Sequence, residues 1–414
     1  SSFVMSRSRV RVPWKAQKQR VVIKTRMLRG SLIGACVLLF TLAFQSCPGY
    51  RNNKFRKHLI EEQSMQDEDM DYVYKPLYAN NFFIVRENGK KVLYLKDPVS
   101  RKETRIEQEK VRRVVCLSST HVAYLDALDE TRSIVGVSGS RYICNKNIRD
   151  VVDVGYESGI DYETLLQLAP DVVFAYAVPG ESNDYLDRIR QLGITVVEIP
   201  EHMENHPLGK AEFLVAFAWF FDKEARAIEQ FYWIYQTYEE YKTMARQAAL
   251  LQFRRNMLAS GIKNAESLNG SFEPVKVLIN APFKDIWYVP GTDSHQSILV
   301  EDAGGILLGS QPGVKTTPMS TEQAYLYALQ ADYWIHPNQL ADLRSLADLD
   351  PRFAEAPAFR NGKVWNNNLR STPEGGSDYF ESGAVSPHLI LADLIAIFYP
   401  ESLPNHKFTY YRKL

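Results

Sequence analysis

With 414 residues the chain is too long for one ordinary hydrophobic core, so two or three domains are expected. Its 49 basic and 49 acidic residues cancel, which argues against a nucleic-acid binder and the basic excess such a protein carries. The hydrophobic content, 45%, is that of a globular protein, and 23 Tyr and 20 Phe supply aromatic side chains expected mostly in cores.

Residues 1–47 read as a targeting segment rather than as fold. Lys24, Arg26 and Arg29 precede an apolar run from Leu32 to Phe44, too short to span a bilayer but the length of a signal-peptide core. The run leads into FQSC, which resembles a lipoprotein signal; Cys47 is then the lipidated residue and ties the chain to a membrane, although Phe44 and Gln45 depart from the strictest pattern. Residues 48–71 are charged, lack spaced apolar positions, and read as a tether. A small β unit is expected over 72–110, where FFIV and VLYL flank a hairpin turn built on Asn88 and Gly89. It should pack on the edge of the lobe that follows.

From 111 to 205 short β-branched runs (VVCL, SIVGV, VVDV, VVFAY, TVVEI) alternate with helical stretches. Continuous apolar strands are buried on both faces, so a parallel sheet covered by helices is expected. Residues 206–252 read as helical throughout, with Asp222 as the N-cap of the second part and Glu224 in its first turn. Ala225, Ile228, Phe231, Tyr235 and Tyr238 form its apolar stripe. A helix of about 30 residues, roughly 45 Å long, would be a rigid strut between two lobes. A second α/β alternation occupies 275–414, with strands at VKVLIN, DIWYVP, DYWIHP and GKVWNN, and helices at ILVEDAGGI, TEQAYLYAL and HLILADLIAIFYP.

The two alternating regions share a repeated phrase, GIDYETLLQLAPDVVFAY (159–176) and PMSTEQAYLYALQADYWIHP (318–337). An acidic residue, Glu163 or Glu322, opens each helix after an N-cap, Asp161 or Ser320, and an Asp, Asp171 or Asp332, leads into each strand. Two like-built lobes are implied. A Glu in the first turn stabilises any helix through its dipole by about 0.3–1 kcal/mol.

No catalytic constellation stands out: GxSxG, HExxH, CxxC, GxGxxG and GxxxxGK[ST] are all missing, which favours binding over catalysis. His202 and His206 are four apart but sit in a loop-like stretch bounded by Pro207, a poor metal pair, and neither a metal nor a cofactor is expected. Cys116 and Cys144 read as free thiols, since two cysteines alone do not establish a bridge.

The ordered series RVVCLSSTHVAYLDALDETRSIVGVSG, DVGYESGIDYETLLQLAPDVVFAY, LVEDAGGILLG, TEQAYLYALQADYW and FRNGKVWNNN resembles the periplasmic substrate-binding proteins of ABC importers for iron complexes and cobalamin. GGSDYFESGAVSPHLILADLIAIFYPE is similar to the end of the iron-complex branch found as lipoproteins in Bacteroidetes-type bacteria, and the likeness runs from about Tyr78 to Leu414. The resemblance implies an α/β fold of two Rossmann-like lobes joined by a single long interlobe helix, here with the small N-terminal β-hairpin unit added, and a ligand held in the cleft between lobes. It also gives Glu163 and Glu322 a role, because family members use one acidic residue at the top of each lobe to pair with arginines of the importer's membrane subunits.

Open α/β sheets bind at the carboxyl ends of their strands. The cleft candidates are therefore Ser118, Ser119, His121, Tyr142, Tyr156, Glu157 and Tyr176 in the first lobe. In the second they are Trp287, Tyr288, His336 and Asn367, with Pro282 and the neighbouring asparagines beside them. Aromatic rings with polar tips suit a bulky, partly apolar chelate, while Arg141 and Arg370 are the cations available for an anionic one. His388 is expected to be partly exposed or capping. The function implied is that of a monomeric, lipid-anchored extracytoplasmic receptor, not an enzyme, that captures an iron complex (ferric siderophore or heme) and delivers it to an ABC permease with only a small closure of its lobes. Cobalamin is the alternative ligand. A periplasmic enzyme or metal chelatase on the same scaffold, with His121, His202 and His336 as its isolated candidates, and a surface lipoprotein binding a protein partner are the other readings.

Overall fold

A computed structural model describes residues 70–107, 111–148, 151–178, 182–259 and 273–414. The targeting segment, Cys47 and the tether up to Asp69 lie outside the described residues. The hairpin signal at Asn88 and Gly89 forms a turn with both residues left-handed (φ 49° and 78°), as a two-residue hairpin loop needs. It joins β2 (Phe82–Glu87) to β3 (Lys90–Lys96), and β1 (Tyr72–Tyr74) and β4 (Glu103–Ile106) extend the hairpin to a four-stranded antiparallel meander. Ile84, Leu93 and Leu95 join the core of the first lobe, where the Phe82 ring packs 4.8 Å from that of Phe213.

In the first lobe β5 (Val114–Cys116), β6 (Ile134–Val137), β7 (Val152–Asp153), β8 (Val172–Ala175) and β9 (Val196–Glu198) form a parallel sheet in the order β7-β6-β5-β8-β9. Helices α1 (Ser119–Ala127), α2 (Tyr162–Leu168) and α3 (Asp184–Gln191) connect its strands. This is the doubly wound order, with its crossover point between β5 and β8.

The next segment is not one continuous helical stretch. It comprises α4 (Pro207–Trp219) and α5 (Glu224–Ala259), separated by a turn in which Asp222 has φ 57°. Asp222 therefore ends the first helix instead of capping the second, whose first carbonyl is that of Lys223, accepting from Ala227 N–H at 3.0 Å. With 36 residues α5 is longer than expected, about 54 Å at 1.5 Å per residue. Its buried stripe is Ala227, Phe231, Ile234 and Tyr238, while Ala225 is exposed. Ala227 belongs to the core of the first lobe and Phe231 onward to that of the second, so α5 passes from one core to the other.

In the second lobe β10 (Val275–Ile279), β12 (Gly305–Leu307), β14 (Tyr333–Ile335), β15 (Val364–Asn366) and β16 (Arg412–Lys413) form a sheet of order β12-β10-β14-β15-β16, parallel except for β16. The DIWYVP strand departs from expectation. As β11 (Ile286–Val289) it leaves this sheet and pairs antiparallel with β13 (Thr317–Ser320). Its burial alternates, Ile286 and Tyr288 outward and Trp287 and Val289 inward, the pattern of a one-sided ribbon rather than of a doubly covered strand. Helices α6 (His295–Asp302), α7 (Thr321–Ala328), α8 (Leu343–Leu349), α9 (Pro357–Arg360), α10 (Ser382–Val385) and α11 (Pro387–Phe398) complete the lobe.

The repeated phrase has a repeated structural role. Asp171 accepts the backbone N–H groups of Arg112 and Arg113 at 2.8 and 2.9 Å, and Asp332 accepts that of Lys276 at 2.9 Å. Each Asp thereby pins the start of its strand to the start of the lobe's central strand, β5 or β10. The segment between β1 and β2 crosses α4, where Glu212 accepts from the Tyr74 hydroxyl (2.6 Å) and the N–H groups of Leu77, Tyr78 and Ala79 (2.7, 2.7 and 2.8 Å). Tyr78 packs on the side of the second lobe and Ala79 on that of the first, so this strap spans both cores.

Candidate functional site

The carboxyl ends of β5, β6, β7 and β8 surround a recess of about 870 Å³. Ser118 and Ser119 begin one wall. Ser118 caps α1, its Oγ accepting from Thr120 N–H at 3.3 Å, and Thr120 Oγ1 donates in turn to Glu201 at 2.7 Å. Tyr142, Tyr156 and Tyr176 supply the aromatic surface, the hydroxyls of the last two 3.5 Å apart. These five expected residues are brought together.

Gly139, Ser140, Arg141, Asp153, Gly155 and Asp161 complete the recess, and of these only Arg141 was named for the cleft from the sequence. Asp153 ties two loops together: its carboxylate accepts from the N–H groups of Gly139, Ser140 and Gly155 at 3.1, 2.7 and 2.9 Å and from the Ser140 hydroxyl at 2.8 Å. Partial burial acts to raise its pKa, but these bonds hold it below the ordinary carboxylate value. Gly155 (φ 84°) has no room for a side chain, because a Cβ there would fall 2.2 Å from the carbonyl oxygen of Gly159. Asp161 caps α2 through the N–H groups of Glu163 and Thr164. Both carboxylates of the recess are thus committed to the protein. Arg141, its guanidinium 4.9 Å from the Tyr142 ring, carries no ion pair among the described residues, whereas Arg370 is paired with Asp378 at 3.1 Å. The signal for Asp153 and Arg141 was their position at or just after strand ends, the same signal that selected the tyrosines.

The other expected residues lie elsewhere. His121 is fully buried beside Phe217 and Phe174, its Nε2 3.6 Å from Glu201 Oε1. Burial acts to raise the Glu201 carboxyl, but the imidazoles of His121 and His202 hold it below its ordinary range. Trp287 is a core residue of the second lobe, donating from Nε1 to Ile279 O at 2.8 Å and packing on Trp334 and Phe353. Asn367 is buried and bonded within its own loop, and the exposed Glu157 and Tyr288 do not line the recess. Among the described residues none of the second lobe lines it, so this recess differs from the expected cleft between the lobes.

His336 is buried, bonded through Nε2 to the Tyr411 hydroxyl, and pushed down to about 3 by burial. Its folded pKa is depressed, so the stability gained from keeping it neutral is present above about pH 6.5 and is lost as pH falls toward 3. His336→Asn, chosen because asparagine tolerates the native φ of 54°, should reduce the pH slope of unfolding free energy by about 1.4 kcal/mol per unit between pH 6 and 4. Urea titrations at several pH values measure that slope. An unchanged slope would mean that the histidine is already protonated in the folded protein.

His388 is buried against the edge of Trp233 (5.0 Å) rather than exposed or capping, and burial pushes it down to about 4. His202 and His206 face different partners, Ala177 O and the N–H of Leu208. Cys116 and Cys144 are free thiols, the latter pushed up to about 12, first by burial and then by Glu381 and Asp378. Among the described residues no group of three or more His, Cys, Asp or Glu side chains is arranged to hold a metal ion, and no helix is long and apolar enough to cross a membrane. Glu163 and Glu322 are exposed second residues of α2 and α7. Both helices lead into the strand that pairs with the lobe's central strand, β8 with β5 and β14 with β10, so the two positions are topologically equivalent.

Two doubly wound lobes, a helix running from core to core and a recess at the carboxyl strand ends define a bilobal binding-protein fold. Residues 114–366 match the profile of the periplasmic binding protein family, and the chain belongs to that family. It is 25% identical over 318 residues to a protein named "uncharacterized lipoprotein MJ0878" from Methanocaldococcus jannaschii, covering 73% of this chain and 68% of that one. Similar solved structures include a periplasmic heme-binding protein from Pseudomonas aeruginosa (TM-score 0.53, 18% identity, 72% of this chain and 96% of that one). Another is the periplasmic heme-binding protein RhuT from Roseiflexus sp. RS-1 (TM-score 0.51, 18% identity, 70% of this chain and 99% of that one). At these identities the likeness is one of fold.

Proposed function

We propose that the protein is an extracytoplasmic receptor that binds an iron complex, a ferric siderophore or heme, in the recess of the first lobe and hands it to an ABC permease. The observation that carries this is the make-up of the recess: three tyrosines, a rim of serines, and Arg141, which rests on the Tyr142 ring and carries no ion pair among the described residues. Tyrosine rings cover apolar surface and the guanidinium pairs with an anionic edge, which fits a chelate bearing carboxylates or catecholates better than an uncharged solute. The heme-binding proteins among the structural relatives, and the lipoprotein name of the sequence relative, support the reading. Cys47 is the proposed lipid attachment site, and Glu163 and Glu322 are the proposed contacts to the permease.

Absorption spectroscopy of the protein purified from its host, followed by titration with hemin, a ferric catecholate and cyanocobalamin, tests the ligand class. Arg141→Ala should weaken binding of the anionic chelate by about tenfold to a hundredfold, the worth of one charge-assisted hydrogen bond. Selective uptake of cyanocobalamin, or no effect of the substitution, would refute the iron-complex assignment. Because α5 runs unbroken between the cores, closure on binding should be small. Solution scattering with and without ligand should show a nearly constant radius of gyration, and a large contraction would contradict this.

A further inference from the structure

The recess belongs to the first lobe, yet one of its walls is held by the second. The loop after β6 lines the recess from Gly139 to Ile143, and its next two residues turn their backbone N–H groups to a single carboxylate of the other lobe. Glu381 Oε2 accepts from Cys144 N–H at 2.7 Å and Oε1 from Asn145 N–H at 2.8 Å. A few residues earlier in the chain, Gly376 touches the same loop: a Cβ on Gly376 would fall 1.9 Å from the carbonyl oxygen of Tyr142. The two backbones are in direct contact there, with Tyr142 itself facing the recess.

The carboxylate sits at the start of a packed element. Its residue immediately precedes α10, which packs on α1 and α4 of the first lobe and places Val385 in that lobe's core. Glu381 is 2% exposed and forms no ion pair among the described residues. The charged groups around it are acidic, Asp378 (already paired with Arg370) and Asp126, and burial followed by these charges pushes its carboxyl up to about 7. An unpaired carboxylate in such a place is costly. Apolar side chains would hold two lobes together without that cost; a carboxylate adds a fixed fork that holds two donors in one geometry.

We propose that Glu381 is a positioning residue for ligand binding: from the second lobe it fixes the Arg141–Tyr142 wall of the recess, so that the pocket has its binding shape only while the lobes are engaged. The proposal rests on the recess being the ligand site. It explains how a pocket lined by one lobe depends on the other, and how a ligand pressing on Tyr142 or Arg141 is felt across the lobe interface.

The test has an arm that needs no ligand. Glu381→Gln keeps the size of the side chain but presents an amide NH2 to one of the two N–H donors, and Glu381→Ala removes both acceptors. Amide hydrogen exchange followed by mass spectrometry should show both variants raising exchange of peptides covering 139–147 about tenfold or more, with peptides of α5 and the β10–β14 core unchanged. Unchanged exchange at 139–147 would overturn the proposal, as would a rise spread evenly over the chain. In the second arm hemin is titrated into wild type, Arg141→Ala, Glu381→Ala and the double variant. Each single variant should weaken hemin about tenfold and the double variant little further, because the two residues act through one wall. Glu381 variants with wild-type hemin affinity, or strictly additive losses, would overturn the positioning role while leaving the receptor reading intact. Failure of wild type to bind hemin would count against heme as the ligand, and the exchange result would then decide the role of Glu381 alone.

Discussion

Reversing both Glu163 and Glu322 to lysine should reduce delivery of the ligand to background while changing ligand affinity less than about twofold, because exposed charges outside a pocket's lining act mainly on encounter and docking. Both side chains are exposed, and neither lines the recess. Each is the second residue of a helix, so a lysine there opposes the helix dipole at a cost of about 0.3–1 kcal/mol, too little to unfold the lobes. The N-caps that start these helices are untouched: Asp161 keeps its bonds to the α2 amides, and Ser320 keeps its capping box with Gln323. With both glutamates in the proposed docking role the contact is bivalent, so a single reversal should weaken delivery and the double reversal should abolish it. The assay is ligand uptake in cells or proteoliposomes carrying the cognate permease, with ligand titration of the purified variants in parallel. If affinity falls together with uptake, the glutamates serve the binding site or the fold, and the docking role is refuted.

Glu212→Ala should destabilise the protein by about 3–5 kcal/mol, as breaking a buried charged network does. The carboxylate is fully buried and receives four donors, the Tyr74 hydroxyl and three consecutive N–H groups of the strap. Removing it leaves backbone donors that cannot reach water, which is more costly than removing both partners of a bond. Burial pushes the Glu212 carboxyl up, and the hydrogen bonds from the strap oppose that shift. Tyr74→Phe removes only one of the four bonds, a hydrogen bond to the carboxylate, and should cost about 1.5–3 kcal/mol. Urea unfolding gives both values, and hydrogen exchange should place the loss at residues 74–81 and α4. A loss below about 1 kcal/mol for Glu212→Ala would mean that water replaces the carboxylate and that the strap is loosely held.

The central strands of both sheets were legible because a strand covered on two faces must be apolar at consecutive positions, a local property of runs such as VVFAY and VKVLIN; the edge strands β12, whose start was read as the end of a helix, and β16 were not. The N-caps Asp161 and Ser320 and the Asn88–Gly89 turn were legible for the same reason, since each bonds or bends within a few residues. The cleft was only partly legible. Position after a strand says where a loop begins, not which way its side chains turn: Tyr142, Tyr156 and Tyr176 face the recess, whereas His121, Trp287 and His336 turn into cores. The partners that hold these three inward lie far away in the chain for His121 (Glu201) and His336 (Tyr411, 75 residues on), so no local pattern announces them.

Apolar periodicity and turn chemistry, read along the chain alone, suffice for two wound lobes and a long helix between them, because whether a segment is strand or helix, and which face it presents for burial, is set largely by its own few residues. The shape of the pocket and the coupling of the lobes arise only on packing. The carboxylate of Glu381 meets Cys144 across 237 residues, and such a contact exists only once both lobes have folded and brought their edges together.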